Sequence, residues 1–509
     1  MSLRWTLGVV AAAAAFAQGD GKPRFIPASE CALCHARIPR PGQEWTSGEW
    51  VGPSALWRGT MMAHSAVDVY WRAKVGFETE QAPQSRRVIE DLCLRCHAPT
   101  EQYALRSSGN ALSMDGLGQL GKEGVSCTVC HQILASGLGR ASSFTGGFLL
   151  GTGNFIFGPH QDPFTMPMLH HTGFEPAEAM HILDSALCGT CHTVITQPPG
   201  RADVRFAEQA PFLEWLASSY PQSGRTCQRC HMPAVEDSSG KAVAQYIAHR
   251  PPGGPFPPTE PRSPFGQHQF AGGNTIMPEL LARTNAPEAA ALRSAAVRAR
   301  RQLERALDLR VTTQREGGLL LAAVELMNLA GHKVPTGFPS RRVWLHVALT
   351  NSRQQKLFDS GAWEAASGEL LAGEGFQPHH RVIEKPHQVQ IFETESLDAQ
   401  GRPTVSLLNA AGHRKDNRIL PSGFDPQKLV AAGLDGLDIG PVGAGAGDGF
   451  RAGSARTLYR IPFPASGEGC RLTVEVLFQT IKPSHRPASF RLPDGLGGPV
   501  VVKRFETSL

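Results

Sequence analysis

The chain of 509 residues reads as two unlike parts: a loop-rich, mainly α region followed by an all-β, sandwich-like domain. Three observations lead there. Ten of the eleven cysteines fall in five C-x-x-C-H units, all between residues 31 and 231. The 54 Gly and 39 Pro make up about 18% of the chain against a usual ~12%, so loops are long although the composition is not that of a disordered protein. Beyond residue 309, apolar residues begin to alternate with polar ones, the period of a half-buried strand.

Composition also excludes some classes. A net charge of +5 without a dense Lys/Arg block gives no footprint for nucleic acid. No apolar run reaches the ~20 residues of a membrane-spanning helix, so an integral membrane protein is not expected. Residues 1–17 read as a signal peptide, with Arg4, an apolar stretch from Leu7 to Phe16 and the A-x-A-like site Ala15-Phe16-Ala17. The mature chain then begins at Gln18 and works in the periplasm or outside the cell.

The C-x-x-C-H units carry the chemistry. With 11 Cys and 19 His, random placement would give roughly 0.01 such units in the whole chain. A disulfide framework requires no His after every second Cys. Zinc sites pair C-x-x-C units or add His at variable spacing, and a redox dithiol motif rarely recurs five times. Two thiols three positions apart match the two vinyl groups on one edge of a porphyrin, and the next residue lies under the iron. The pattern predicts five covalently attached haem c groups and their iron. The attachment residues are Cys31 and Cys34, Cys93 and Cys96, Cys127 and Cys130, Cys188 and Cys191, and Cys227 and Cys230. The proximal imidazoles are His35, His97, His131, His192 and His231.

A six-coordinate haem needs a second axial ligand, usually His or Met. His181, seven residues before Cys188, is expected to point from a helix toward a neighbouring haem. His268 is expected to ligate a haem other than the one attached nearest in sequence. His64 follows two methionines on a short predicted helix over 63–73, and His170 and His171 follow Met166-Pro167-Met168. His160 is a further candidate, and His249, beside a Pro-rich run at 250–264, is set aside. His332 lies outside the region, in Gly331-His-Lys-Val-Pro-Thr-Gly337, where Gly at each end and Pro335 inside would hold its imidazole out toward the haems.

The chain divides into a pentahaem domain over 18–283, a connecting helix over 284–308 and a β-domain over 309–509. A second short helix is expected at 211–218. Asn285-Ala-Pro-Glu288 reads as a capping box before a helix over 289–307. Strands are predicted at 319–329, 343–350, 389–395, 457–461 and 472–480, the last with Leu472, Val474, Val476 and Phe478 on its buried face. The unpaired Cys470 is expected to be a buried small hydrophobe. First-Cys intervals of 62, 34, 61 and 39 residues hint at haems laid down in pairs.

With these motifs the chain resembles the multihaem c-type cytochrome superfamily, most closely the cytochrome c-554-like group named for the tetrahaem cytochrome of nitrification. Leu56-Trp-Arg-Gly-Thr-Met-Met62, Ala186-Leu-Cys-Gly-Thr-Cys-His192 and Pro264-Phe-Gly-Gln-His268 are similar to phrases of its members. The 331–337 loop and Lys415-Asp-Asn-Arg-Ile-Leu-Pro421 resemble a β-domain fused to such cytochromes. Five motifs instead of four, and the added domain, depart from the tetrahaem pattern. The resemblance implies electron transfer through closely spaced, mostly bis-His haems, with redox partner proteins that include other multihaem cytochromes. The alternative is an oxidoreductase acting on a small nitrogen or sulfur compound at one five-coordinate haem. All five motifs here end in His, whereas pentahaem nitrite reductases end their catalytic motif in Lys, and no Tyr stands in an evident cross-linking context.

Overall fold

The computed structural model describes residues 22–40, 50–109, 113–249, 259–443, 450–465 and 469–509. The export segment 1–17 and Gln18 lie outside them, as does 250–258 of the Pro-rich run.

The N-terminal half is built from short helices linked by turns. The helix expected at 63–73 is displaced: residues 60–67 form turns, and the helix runs over Val69–Gln81. Asp68 decides this, because its carboxylate accepts the backbone N–H groups of Tyr70 and Trp71 at 2.8 and 3.1 Å and so fixes the first turn. The helix at Pro211–Leu216 begins where expected, with Pro in its first turn. Two small strand pairs, which no alternation announces, interrupt the helices: β1 (Phe155–Gly158) runs parallel to β2 (Glu175–Glu178), and β3 (Val194–Thr196) antiparallel to β4 (Phe206–Gln209).

The connecting helix runs over Ala289–Ala306 and buries Leu292, Ala295, Ala296, Ala299 and Leu303, one stripe of an amphipathic helix. The expected capping box does not form. Residues Ala286–Glu288 make a 3-10 turn without a side-chain cap, and Glu288 instead pairs with Arg58 at 3.3 Å.

Strands follow without a loop: β5 (Leu307–Glu316), β6 (Leu319–Asn328), β7 (Arg342–Thr350), β8 (Lys356–Ser360), β9 (Val382–Ile383), β10 (Ile391–Phe392), β11 (Thr394–Asp398), β12 (Pro403–Thr404), β13 (Ala410–Asp416), β14 (Ser454–Pro462), β15 (Arg471–Gln479) and β16 (Val500–Ser508). One sheet has the order β10-β7-β15-β16 with β8 joined to β7, a second β5-β6-β14-β9, and a third β12-β11-β13. Every pair is antiparallel except β9 with β14. β5 and β6 form a ten-pair hairpin whose turn, Gly317-Gly318, has φ of 56° and 77°, the left-handed pair that a two-residue hairpin turn requires. The two larger sheets share one core, with Leu320, Val324 and Leu326 of one against Leu345, Leu472 and Val474 of the other. Each such buried side chain contributes roughly 1.5–3 kcal/mol.

β5 and β16 go beyond the expected strands; each buries only one residue fully, Leu307 and Val502, so neither carries a strong apolar stripe. The strand expected over 389–395 is broken into β10 and the start of β11, which belong to different sheets. β15 is not half-buried: Leu477, on its expected solvent face, is fully buried against Trp344, Leu370 and Ile391 in a second small core. Cys470 is buried in the main core.

The two halves share interior. Tyr70 packs with Ile276, Ile481 and Phe490, and its hydroxyl donates to the carbonyl of His485 at 2.9 Å. Within the β-rich half, Glu393 lies 2.8 Å from Lys415 and 3.0 Å from Lys482, and Asp416 lies 2.6 Å from Lys333 and 2.8 Å from Arg418. These cations overcome burial and hold both carboxyls well below their ordinary values of 4.5 and 3.8. A depressed carboxyl stabilises the fold above its unfolded value and loses that stabilisation as pH falls toward its folded one. Urea unfolding should therefore give a stability plateau above about pH 5 and a decline that begins as pH drops through about 4.5. Glu393→Gln should cost about 3 kcal/mol at pH 7, because it leaves buried lysines uncompensated, and should flatten the acid limb.

Candidate functional site

The five C-x-x-C-H units lie at short helices: Ala28–His35, Arg86–His97, Cys127–Cys130, Ser185–Gly189 and Cys227–His231. Positions i, i+3 and i+4 of a helical turn share one face, so each unit presents two thiols and an imidazole to the same side. All ten cysteines and all five motif histidines line one continuous cavity of about 1780 Å³. An ordinary small-ligand pocket spans ~300–1,000 Å³. Among the described residues no cysteine is in a disulfide, and no group of three or more His, Cys, Asp or Glu is arranged to hold a metal ion by itself. A mostly apolar interior, edged by thiols and imidazoles, fits planar iron macrocycles.

Hydrogen bonds fix the tautomer of four motif imidazoles. Nδ1 of His35, His131 and His231 donates to the carbonyls of Ile247, Phe157 and Ala271 at 2.6 Å, and Nδ1 of His97 donates to that of Ser65 at 3.1 Å. A carbonyl can only accept, so each bond fixes the tautomer that leaves the Nε2 lone pair free. Burial keeps the rings neutral, with His97 and His192 pushed down to about 4 and His268 to about 3. Trp71, which sequence reasoning missed, stacks on His97 at 4.3 Å between ring centres, with an interplanar angle of 6°. An aromatic residue on a short helix ordinarily marks a core position, so no signal singled it out.

An imidazole nitrogen lies about 1.1 Å from its ring centre and metal–imidazole bonds run ~2.0–2.1 Å, so two imidazoles on opposite faces of one metal have centres roughly 6.3 Å apart. Among the described residues two pairs have this spacing. His131 and His268 are 6.2 Å apart with an interplanar angle of 17°, and His231 and His332 are 6.3 Å apart with an angle of 21°. Nδ1 of His268 donates to the carbonyl of Gly266 at 3.0 Å, and Nδ1 of His332 to that of Lys333 at 2.9 Å. Both second histidines come from loops remote in sequence from their partners. The loop of His332 approaches the helical part closely, since a Cβ on Gly331 would lie 3.0 Å from the Tyr220 ring and 3.1 Å from that of Trp215.

The other candidates divide. His160 and His171 line the cavity, with Nε2 of His171 3.2 Å from Glu30. His64 and His181 do not line it; Nε2 of His64 donates to the carbonyl of Arg58 at 2.9 Å and Nε2 of His181 to that of Ile133 at 2.7 Å, so each has only Nδ1 to offer a metal. His181 sits in a 3-10 turn, Met180–Leu183, beside Phe157. His170 is exposed and outside the lining. His249, set aside from the sequence, lines the cavity, and its backbone N–H donates to Cys34 at 2.8 Å. Its Pro-rich neighbourhood hid it.

Different units adjoin one another. Cys127 packs against Ala28 of the first unit's helix, the backbone N–H of Cys227 donates to Oγ of Ser185 at 3.0 Å, and Gly146 lies between Cys96 and Thr190. The first unit thus adjoins the third, and the fourth adjoins both the second and the fifth.

The fold has a counterpart among proteins of known structure. The chain is similar to the crystal structure of a penta-heme cytochrome c552 from Thermochromatium tepidum, with a TM-score of 0.58 and 19% identity, over 95% of this chain and 99% of that one. No family model matches the chain. No curated protein matches it.

Gly146 shows how tightly the units are packed. It has φ of 71°, its N–H donates to Thr190 in the fourth unit at 2.8 Å, and a Cβ would lie 2.6 Å from Cβ of Arg95 and 3.2 Å from Sγ of Cys96 in the second. Gly146→Ala combines left-handed strain with a clash against backbone-proximal atoms and should cost at least about 1–3 kcal/mol. Denaturant unfolding of the purified holoprotein checks this.

Proposed function

We propose that the chain is a pentahaem c-type cytochrome that passes single electrons between redox partner proteins outside the cytoplasm. The observation that carries this reading is the convergence of ten motif thiols and five motif imidazoles on one cavity, with two further imidazoles at the distance that spans an iron. When bound, haem c supplies reversible one-electron chemistry at its iron.

The protein's own groups supply the rest. The ten cysteines hold the macrocycles through thioethers, and His35, His97, His131, His192 and His231 are the proximal ligands. His268 completes the third unit and His332 the fifth. His160 and His171 are the candidates for remaining irons from within the cavity, and His64 and His181 through Nδ1; His170, exposed and outside the lining, is the weakest of the set. Carbonyl acceptors at Nδ1 keep four proximal rings oriented and burial keeps them neutral, which favours a low-spin iron that changes oxidation state without changing its ligands. The contacts between units support an electron path in which the fourth unit joins the second and the fifth. Kinship with the cytochrome c-554-like group and a separate β-domain from residue 309 belong to the same reading. Export rests on residues 1–17, and among the described residues no helix is long and apolar enough to cross a membrane. Redox partners include other multihaem cytochromes.

The intact mass of the holoprotein should exceed that of the chain from Gln18 by five haem masses; three or fewer would show unoccupied motifs. His268→Ala should leave all haems attached and convert one iron to a high-spin form that binds added imidazole. An unchanged low-spin spectrum would remove His268 from the ligand set. A persistent high-spin fraction in the unmodified protein, open to small nitrogen or sulfur ligands, would move the reading to an oxidoreductase.

A further inference from the structure

We infer that Glu214, a residue of the helical part, seats His332, a residue of the β-rich part, at the fifth iron. This rests on the reading of His332 as an axial ligand. Glu214 lies on the helix Pro211–Leu216 and is fully buried. Its Oε2 accepts the backbone N–H of Lys333 at 3.1 Å and the hydroxyl of Thr336, and its Oε1 faces Nη1 of Arg418 at 2.8 Å. One carboxylate thus accepts two hydrogen bonds from the loop that carries His332 and forms an ion pair with a guanidinium from the same half of the molecule.

The geometry is specific to the imidazole. Both main-chain groups of Lys333 are engaged: its N–H by Glu214, and its carbonyl by Nδ1 of His332. Fixing this residue therefore fixes the direction of the ring and leaves Nε2 free on the side of His231. The carbonyl of His332 is held in turn by Nδ2 of Asn328 at 2.8 Å. Trp215, adjacent to Glu214 on the same helix, sets the depth of approach through its contact with Gly331.

The charges favour this arrangement as a unit. Arg418 also pairs with Asp416 at 2.8 Å, and Asp416 with Nζ of Lys333 at 2.6 Å, so two acids and two bases balance in a buried cluster. Glu214 is the member that belongs to the helical part. A buried charge left without its partner is strongly unfavourable, so the loop is held to the position where Glu214 meets Arg418. Gln at 214 can keep an acceptor toward Lys333 and Thr336 only by turning its amide N–H groups on Arg418, which then loses the charge of its partner. Glu214 is a positioning residue: it acts through the loop and does not touch the iron.

The test uses the full holoprotein and compares His332→Ala, Glu214→Gln and Thr336→Val by the ferric high-spin signal, the reduction potential of the affected haem and titration with imidazole. His332→Ala should convert one iron in five. Glu214→Gln should convert the same iron in at least half of the molecules, shift its potential in the same direction as His332→Ala, and return to low spin with imidazole. Thr336→Val, which removes one neutral donor, should give a smaller fraction that is still above that of the unmodified protein. If His332→Ala converts one iron and Glu214→Gln leaves all five low-spin, the positioning role is overturned and the ligand stands. If His332→Ala itself stays low-spin, the ligand assignment fails and takes this inference with it. Conversion of more than one iron by Glu214→Gln indicates general disruption and also overturns the role. Should Glu214→Gln not accumulate, Thr336→Val decides: a high-spin fraction supports the inference and its absence refutes it.

Discussion

Five helical turns, each with two thiols and an imidazole on one side, have to face a single interior, and most of the N-terminal half follows from that constraint. Its apolar clusters are small, such as Ile38, Val51, Leu56, Val235 and Phe265, or Ala28, Trp57 and Ala63. The β-rich half instead carries one extended core. A chain that supplies so few packed side chains around so large a cavity depends on what fills it. Short helices suffice there because each needs only to hold one turn, and the long Gly- and Pro-rich links let those turns approach from different directions. Gly146, wedged between the second and fourth units, shows the spacing that results.

The same constraint explains why the β-rich half is not an independent appendage. Its sheets close their own core, yet the 331–337 loop, the 405–407 segment and the turn at His485 all reach into the helical half. Lys74 donates to the carbonyl of Val405, and Glu78 accepts from Ser406 and Leu407. These are buried polar contacts, which reward one arrangement far more than any neighbouring one, because a displaced partner leaves a desolvated charge. Apolar packing alone would tolerate a sliding interface. An imidazole delivered across such an interface needs the stricter kind of attachment.

The motif residues were legible because their geometry is local. Cys, Cys and His at i, i+3 and i+4 are brought together by one turn of helix, whatever the rest of the chain does. The helix over Ala289–Ala306 and strands β6 and β15 were legible for a related reason: each buries a face whose period the residues display. Local signals failed where tertiary contacts outweighed them. The Asp68 carboxylate moved a helix by several residues, Glu288 gave up a cap for Arg58, and β5 and β16 each bury only one residue fully, Leu307 and Val502.

What the amino-acid sequence determined by itself is the set of motifs: the number of units, their thiols and imidazoles, and the division into a helical and a strand-forming part. The tertiary structure alone decided which units adjoin, which of fourteen further histidines come opposite a motif imidazole, and which carboxylate holds the loop of His332. His268 and His332 are single residues in loops, 137 and 101 positions from His131 and His231. Nothing in a short window marks such a pairing. It exists only once the chain has folded, because the two imidazoles meet through space and not through any shared helix or strand.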